Sequence, residues 1–230
     1  MFKHLVIVSL FLSFYGCNDS TLADNVKESM NGENTSEGLL FEDEFSVDGQ
    51  LTNPWQVTMQ ADPIPEVSSG KLTAPDATYR SAQVATIDEE NMYSEVQFQF
   101  SSPAVDGTSV ILPLRHKAGV GVVFCRFSIN SNVLEVSFMS SSNASSSVVN
   151  SSIAGDDLSL HKLGCEVETD GNDIVMKAYI DPSVNAKTPI HTHTFGGEAA
   201  TLVSGSAAIV FSANGILSLD QFKVYDGFPY

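Results

Sequence analysis

Arg115, His116 and Lys117 stand side by side in a chain that has only eleven lysines and arginines, and Arg126 follows shortly after. A guanidinium grips carboxylates and sulfates through paired hydrogen bonds. Arg115, His116 and Arg126 are therefore the candidate ligand-binding residues, suited to an acidic or sulfated group. Alternation in V-V-F-C-R-F-S-I turns Arg126 away from Cys125 and Phe127 and so off the core; the same direction suits a residue that only neutralises neighbouring acids. His191 and His193, two apart in I-H-T-H-T, share one face of a strand, as a transition-metal pair would. No cysteine or carboxylate lies close in sequence to complete that site, so they read as surface histidines on an edge. Cys125 and Cys165 both sit in apolar, strand-like runs. A disulfide and two buried free thiols both fit, because sequence does not give the Cα separation that decides. Neither G-x-S-x-G nor H-E-x-x-H occurs. G-V-G at Gly119 lacks the third glycine of a dinucleotide loop and precedes a strand.

A different chemistry is written at the start of the chain. Lys3 and His4 form a short polar lead, and Leu5 to Phe14 is an apolar run of signal-peptide length, too short to span a bilayer. It ends in F-Y-G-C, a small residue before a cysteine, which is what lipoprotein signal peptidase reads; a plain secretory signal with an incidental cysteine is the alternative. Cleavage makes residues 1–16 the signal peptide and leaves Cys17 as a lipidated first residue, holding the protein to a membrane of the bacterial cell envelope. Loss of Lys3 moves the formal charge from −17 to −18. Such a surface does not suit nucleic acid, whose phosphates need basic patches, or polybasic docking on anionic lipid. Residues 17–38 are polar, acidic and almost free of aromatics, a composition that reads as a flexible tether. The envelope is oxidising, so a disulfide can persist there.

From Leu39 to Tyr230 the dominant period is two. Val96, Phe98 and Phe100 share one face of Y-S-E-V-Q-F-Q-F; Val123, Cys125, Phe127 and Ile129 share another. Leu134, Val136 and Phe138 repeat the pattern, as do Leu163, Cys165 and Val167. This is the signature of half-buried strands. Asp170-Gly171, between V-E-T and I-V-M, signals a tight hairpin, with further turns at Asn130 and Ala213. No window keeps a helical period over three turns. Ser140 to Ser152 reads as a mobile serine-rich loop. Residues 39–230 are therefore expected to form one all-β domain, an antiparallel β-sandwich or jelly roll.

The two ends of this domain carry a further pattern. L-L-F-E-D-E-F-S-V-D-G-Q-L-T-N-P-W-Q, Leu39 to Gln56, with Asp43, Glu44, Phe45 and Trp55, resembles the opening of the concanavalin A-like lectin/glucanase superfamily, in particular laminarinase- and lichenase-type enzymes. S-S-G-K-L, Ser68 to Leu72, is similar to the second strand, and L-H-K-L with the following hairpin and M-K-A-Y-I-D to a later strand pair. L-S-L-D-Q-F-K-V-Y, Leu217 to Tyr225, is similar to the closing strand. The resemblance implies a jelly roll and a ligand among carbohydrates. It also implies a structural Ca²⁺ held by the backbone oxygens of Glu44 and Gly70 and the carboxylate of Asp220, since Ca²⁺ accepts carbonyls, carboxylate and water.

The same resemblance implies where catalysis would sit. Those enzymes cut glycosidic bonds with carboxylates in E-x-D-x-x-E on one strand. The corresponding strand here, Gly119 to Ile129, has no Asp or Glu. The near match E-T-D-G-N-D, Glu168 to Asp173, falls on the hairpin turn, out of the family's order, and ends in Asp. The R-x-E-x-R strand and Q-I-H of alginate lyases are missing too. The expectation is a non-catalytic surface domain that binds carbohydrate or glycoconjugate. The alternatives are a divergent glycoside hydrolase or polysaccharide lyase, and a structural or adhesive envelope protein. A sugar site needs exposed aromatics, and Trp55, the sole tryptophan, sits where core is expected.

Overall fold

The computed structural model describes residues 38–59, 65–73, 80–84, 86–103, 108–117, 119–128, 131–154, 156–212 and 216–230. Cys17, the signal peptide, nearly all of the tether and the turn at Ala213 lie outside them. In chain order the strands are β1 (Leu39–Asp43), β2 (Gly49–Gln50), β3 (Trp55–Met59), β4 (Glu66–Ser68), β5 (Lys71–Thr73), β6 (Arg80–Val84), β7 (Met92–Phe100) and β8 (Ser109–Lys117). They continue with β9 (Gly121–Ser128), β10 (Val133–Ser140), β11 (Ala144–Asn150), β12 (His161–Asp170), β13 (Asp173–Ile180), β14 (His191–Phe195), β15 (Ala208–Ser212) and β16 (Leu217–Tyr225).

Two antiparallel sheets result. The first runs β14-β13-β12-β7-β16-β5-β4-β2, with β1 also on β16; the second runs β11-β10-β9-β8-β15-β6-β3. The period-two residues turn inward from both. Phe98 and Phe100 of β7, Phe127 of β9 and Phe222 of β16 are buried in one core. This is the expected sandwich. Asp170 pairs with Asp173 across the β12–β13 turn, where Gly171 takes φ +63°, a conformation glycine adopts without a Cβ penalty.

Cys125 of β9 and Cys165 of β12 are joined by a disulfide, with Cα atoms 5.7 Å apart. It runs through the core from one sheet to the other. One expectation is corrected: the serine-rich stretch is a strand. β11 pairs with β10 from Val133↔Asn150 to Met139↔Ala144. Its inward Val149 packs on the core, and as an edge strand it needs only one partner.

Trp55 is core. Its ring meets Phe41 and Phe222, each at 5.4 Å between centroids. Its Nε1–H donates to Asp43 Oδ2 at 2.6 Å, while Asp43 Oδ1 accepts the Phe45 N–H at 2.7 Å. Phe45 has φ +49°, rare for a bulky residue, and the Asp43 carboxylate ties down that turn.

Candidate functional site

The three basic residues do not converge. Arg115 is 1% exposed, at a point where β8 loses register with β9 and the backbone takes φ +47°. Its guanidinium points inward: Nε donates to the Glu90 carbonyl at 2.6 Å, Nη1 to the Leu202 carbonyl at 2.9 Å and Nη2 to Thr169 Oγ1 at 2.8 Å. It clamps three segments together and offers nothing to a ligand. His116 sits beside Gln83, Nδ1 to Oε1 at 3.0 Å, and partial burial lowers its pKa. His191 and His193 share a face of the edge strand β14. His191 Nε2 lies 3.1 Å from Ser147 Oγ of β11 and so bridges the open edges of both sheets, while His193 packs edge-on against Phe195.

Arg126 does point away from the core, on the outer face of the second sheet. Cross-strand register puts it between Glu135 of β10 and Ile111 of β8. The next row holds Ser137, Phe124 and Pro113. Arg126 Nη2 forms an ion pair with Glu135 Oε2, and Ser137 Oγ donates to the other oxygen, Glu135 Oε1. Glu135 and Ser137 are 7% and 3% exposed although they lie opposite the core; the Arg126 side chain stays 37% exposed. A guanidinium, a carboxylate, a hydroxyl and a phenyl ring thus adjoin on one face. Glu135 carries no local sequence signal, because its partner Arg126 is on another strand and only the register joins them.

The segments that carry the implied calcium ligands border the same side of β16. Leu219 pairs with Leu72 of β5 and Phe222 with Asp43 of β1. Between them a bulge leaves Asp220 out of register. Glu44 follows directly on β1, and Gly70 directly precedes β5. The donor set is compromised by one side chain. Lys71 Nζ lies 3.3 Å from Asp220 Oδ1 and donates to Gln99 Oε1 at 3.1 Å. The ammonium already neutralises the one carboxylate that a Ca²⁺ would use, so an ion there must compete with it.

A second polar constellation lies on the outer face of the first sheet. Glu166 and Glu168, alternate residues of β12, both contact Lys177 of β13, at 3.4 and 2.6 Å. Tyr179 donates its hydroxyl to Glu166. Burial raises the pKa of Glu166. Burial also pushes Glu168 up, but hydrogen bonds from Lys177 and Glu166 outweigh it and hold Glu168 below the usual carboxylate range. On β7, Glu95 accepts from Tyr93 at 3.0 Å and pairs with Lys162 at 3.1 Å. Gly164, opposite Glu95, leaves room for the Tyr93 ring; a Cβ there would collide with it. Glu168, Asp170 and Asn91 line an open depression at the end of this face, beside Asp226 and Gly227.

No protein-family model matches the sequence, and no curated protein matches it. Solved structures do. An endo-1,3-β-glucanase from Streptomyces sioyaensis aligns at TM-score 0.57 and 10% identity, covering 83% of this chain and 96% of that one. A glycosyl hydrolase family 16 protein from Mycobacterium smegmatis aligns at TM-score 0.52 and 13% identity, over 81% and 100% of the two chains. Carbohydrate-binding module CBM66 from Bacillus subtilis gives TM-score 0.52 and 10% identity, over 76% and 99%. What this chain has in common with the three is the fold: two antiparallel sheets in a β-sandwich jelly roll.

Proposed function

We propose that this protein is a non-catalytic binding domain of the bacterial cell envelope, lipid-anchored through Cys17, with carbohydrate or glycoconjugate as its ligand. The reading rests on the outer face of the second sheet. There Arg126, braced by Glu135, offers a charged hydrogen-bond donor to hydroxyls or acidic groups, and Phe124 offers an apolar surface in the next row. The jelly-roll neighbours, a glucanase and a carbohydrate-binding module among them, support a sugar as the ligand class. The test is titration of the purified protein with soluble β-glucans and uronate polymers. Binding that weakens about tenfold in Arg126→Ala, equivalent to about 1.4 kcal/mol, supports the reading, and binding indifferent to both Arg126→Ala and Phe124→Ala sinks it.

One observation favours a second reading. Glu166 and Glu168 are neighbouring carboxylates on one strand that share Lys177, and their surroundings pull their proton affinities in opposite directions, a difference that a general acid and a base need. A glycoside hydrolase using them would release new reducing ends, and a polysaccharide lyase would release unsaturated ones. Turnover lost in Glu168→Gln would establish this reading over the first.

A further inference from the structure

The outer face of the first sheet is covered by the chain itself. β16 closes with the Asp226 N–H on the Gly38 carbonyl at 2.7 Å, and Gly227, at φ +81°, turns the chain onto the sheet. Phe228 then stacks on Tyr179, with centroids 4.6 Å apart and planes 18° from parallel, and meets Tyr93 edge-on at 5.2 Å. Tyr230 places its hydroxyl between two charges, donating to Glu95 Oε2 at 2.7 Å and accepting from Lys162 Nζ at 2.6 Å. Beneath this segment Glu95 and Glu166 are 3% and 2% exposed. Charges are costly to bury, so a face made only to be capped would be expected to carry apolar side chains.

The contacts describe a kind of ligand. A ring is stacked on a tyrosine, and a hydroxyl donates to a carboxylate while accepting from an ammonium. A sugar residue presents the same pair of features, an apolar ring face and hydroxyls that both donate and accept. We infer that the outer face of the first sheet is a second saccharide subsite, separate from the Arg126 face, and that Phe228–Tyr230 is its resident self-ligand. Tyr93 and Tyr179 form the stacking platform, and Glu95 and Lys162 hold the hydroxyl. The ligand class rests on the carbohydrate reading above; the displaceable occupant does not. A strap that closes the site nine-tenths of the time weakens apparent affinity about tenfold, the inverse of the open fraction.

The experiment measures binding of laminarihexaose, cellohexaose and chitohexaose, and of the peptide acetyl-Gly-Phe-Pro-Tyr, to wild type and to protein lacking Phe228–Tyr230. The truncated protein is expected to bind the peptide and at least one hexasaccharide about tenfold or more tighter than wild type. The two ligands should compete, Glu95→Gln should abolish the gain, and Arg126→Ala should leave it intact. Peptide binding without any hexasaccharide binding would overturn the sugar assignment and keep the strap. A cooperatively folded truncated protein that binds neither would overturn both. If truncation prevents folding, Tyr230→Phe, which keeps the ring and loses both hydrogen bonds, decides: unchanged hexasaccharide binding overturns the proposal.

Discussion

Trp55 and Asp43 hold each other in place, the indole Nε1–H on one carboxylate oxygen at 2.6 Å while the other oxygen accepts the Phe45 N–H at 2.7 Å. The spacing of D-E-F and W thereby acquires a physical reason: a single carboxylate satisfies two donors around a buried ring. Asp43→Ala leaves both without their acceptor. Hydrogen bonds to a charged group are worth about 1.5–3 kcal/mol each, so a loss of about 3 kcal/mol is expected in urea unfolding followed by Trp55 fluorescence. Asp43→Asn should cost less, since its amide oxygen still accepts one bond. Equal stability of wild type and Asp43→Ala would refute the account.

The Cys125–Cys165 bond, spanning a sequence separation of 40, restricts the unfolded chain. Loop-closure entropy for that length corresponds to about 4 kcal/mol. The double variant Cys125→Ala, Cys165→Ala should therefore unfold at markedly lower denaturant than the oxidised protein, and the reduced wild type should do the same. The oxidised wild type should be unaffected by mild reductant while folded, since both cysteines are fully buried.

Stability should respond to pH through Glu166. Burial raises its pKa in the folded state, so the folded protein holds that proton more tightly than the unfolded chain. Its contribution is fully present below the ordinary carboxylate pKa and is lost as pH rises through the raised value. Glu168, held low with Lys177, works in the opposite sense, adding stability above the ordinary carboxylate pKa. Glu166→Gln keeps an acceptor for Tyr179 and removes the titration. Its melting temperature relative to wild type should climb as pH rises from 4 towards neutrality (about the carboxylate range and above). A difference independent of pH would rule out Glu166 as the titrating group.

Calcium and Lys71 should compete for Asp220. In wild type the ammonium lies 3.3 Å from Asp220 Oδ1, so added calcium is expected to move the melting temperature little. Lys71→Met frees the carboxylate, and calcium should then raise the melting temperature by mass action as its concentration exceeds the dissociation constant. Lys71→Met, Asp220→Ala should lose that response. A calcium response absent from Lys71→Met would rule out the ion that the resemblance implies.

Cys17, expected to carry the anchor, can be tested in cells. Labelling with a palmitate analogue should mark the wild-type protein and not Cys17→Ser, which should also leave the membrane fraction. Equal labelling of the two would end the lipoprotein reading.

The strand set was legible because apolar side chains at alternate positions need only a local pattern to be seen, as in Val96, Phe98 and Phe100. The hairpin at Asp170-Gly171 was legible for the same reason, being a two-residue signal. Pairings between distant strands were not. Cys125 and Cys165 fit a disulfide and free thiols equally until β9 and β12 faced each other, and Glu135 became the partner of Arg126 only through the β9–β10 register. β11 has a weak local signature because its inward row is mostly serine, so hydroxyls stand where a strand's aliphatics would. Arg115 stood out as a ligand residue through its basic neighbours alone, and nothing in them shows that a left-handed φ at a break in register turns its side chain into the interior. The face under Phe228 and Tyr230 draws on residues from positions 93 to 230, which no spacing rule connects.

The hydrogen bond from Asp226 N to Gly38 O means that the sandwich is entered and left at one corner. Such a unit has the connectivity of a cassette. It can be set into a surface loop of an unrelated host with short links on both sides. Equally, its own ends can be spliced and the chain reopened at the Gly171–Asn172 turn, giving a rearranged gene order for the same pair of sheets.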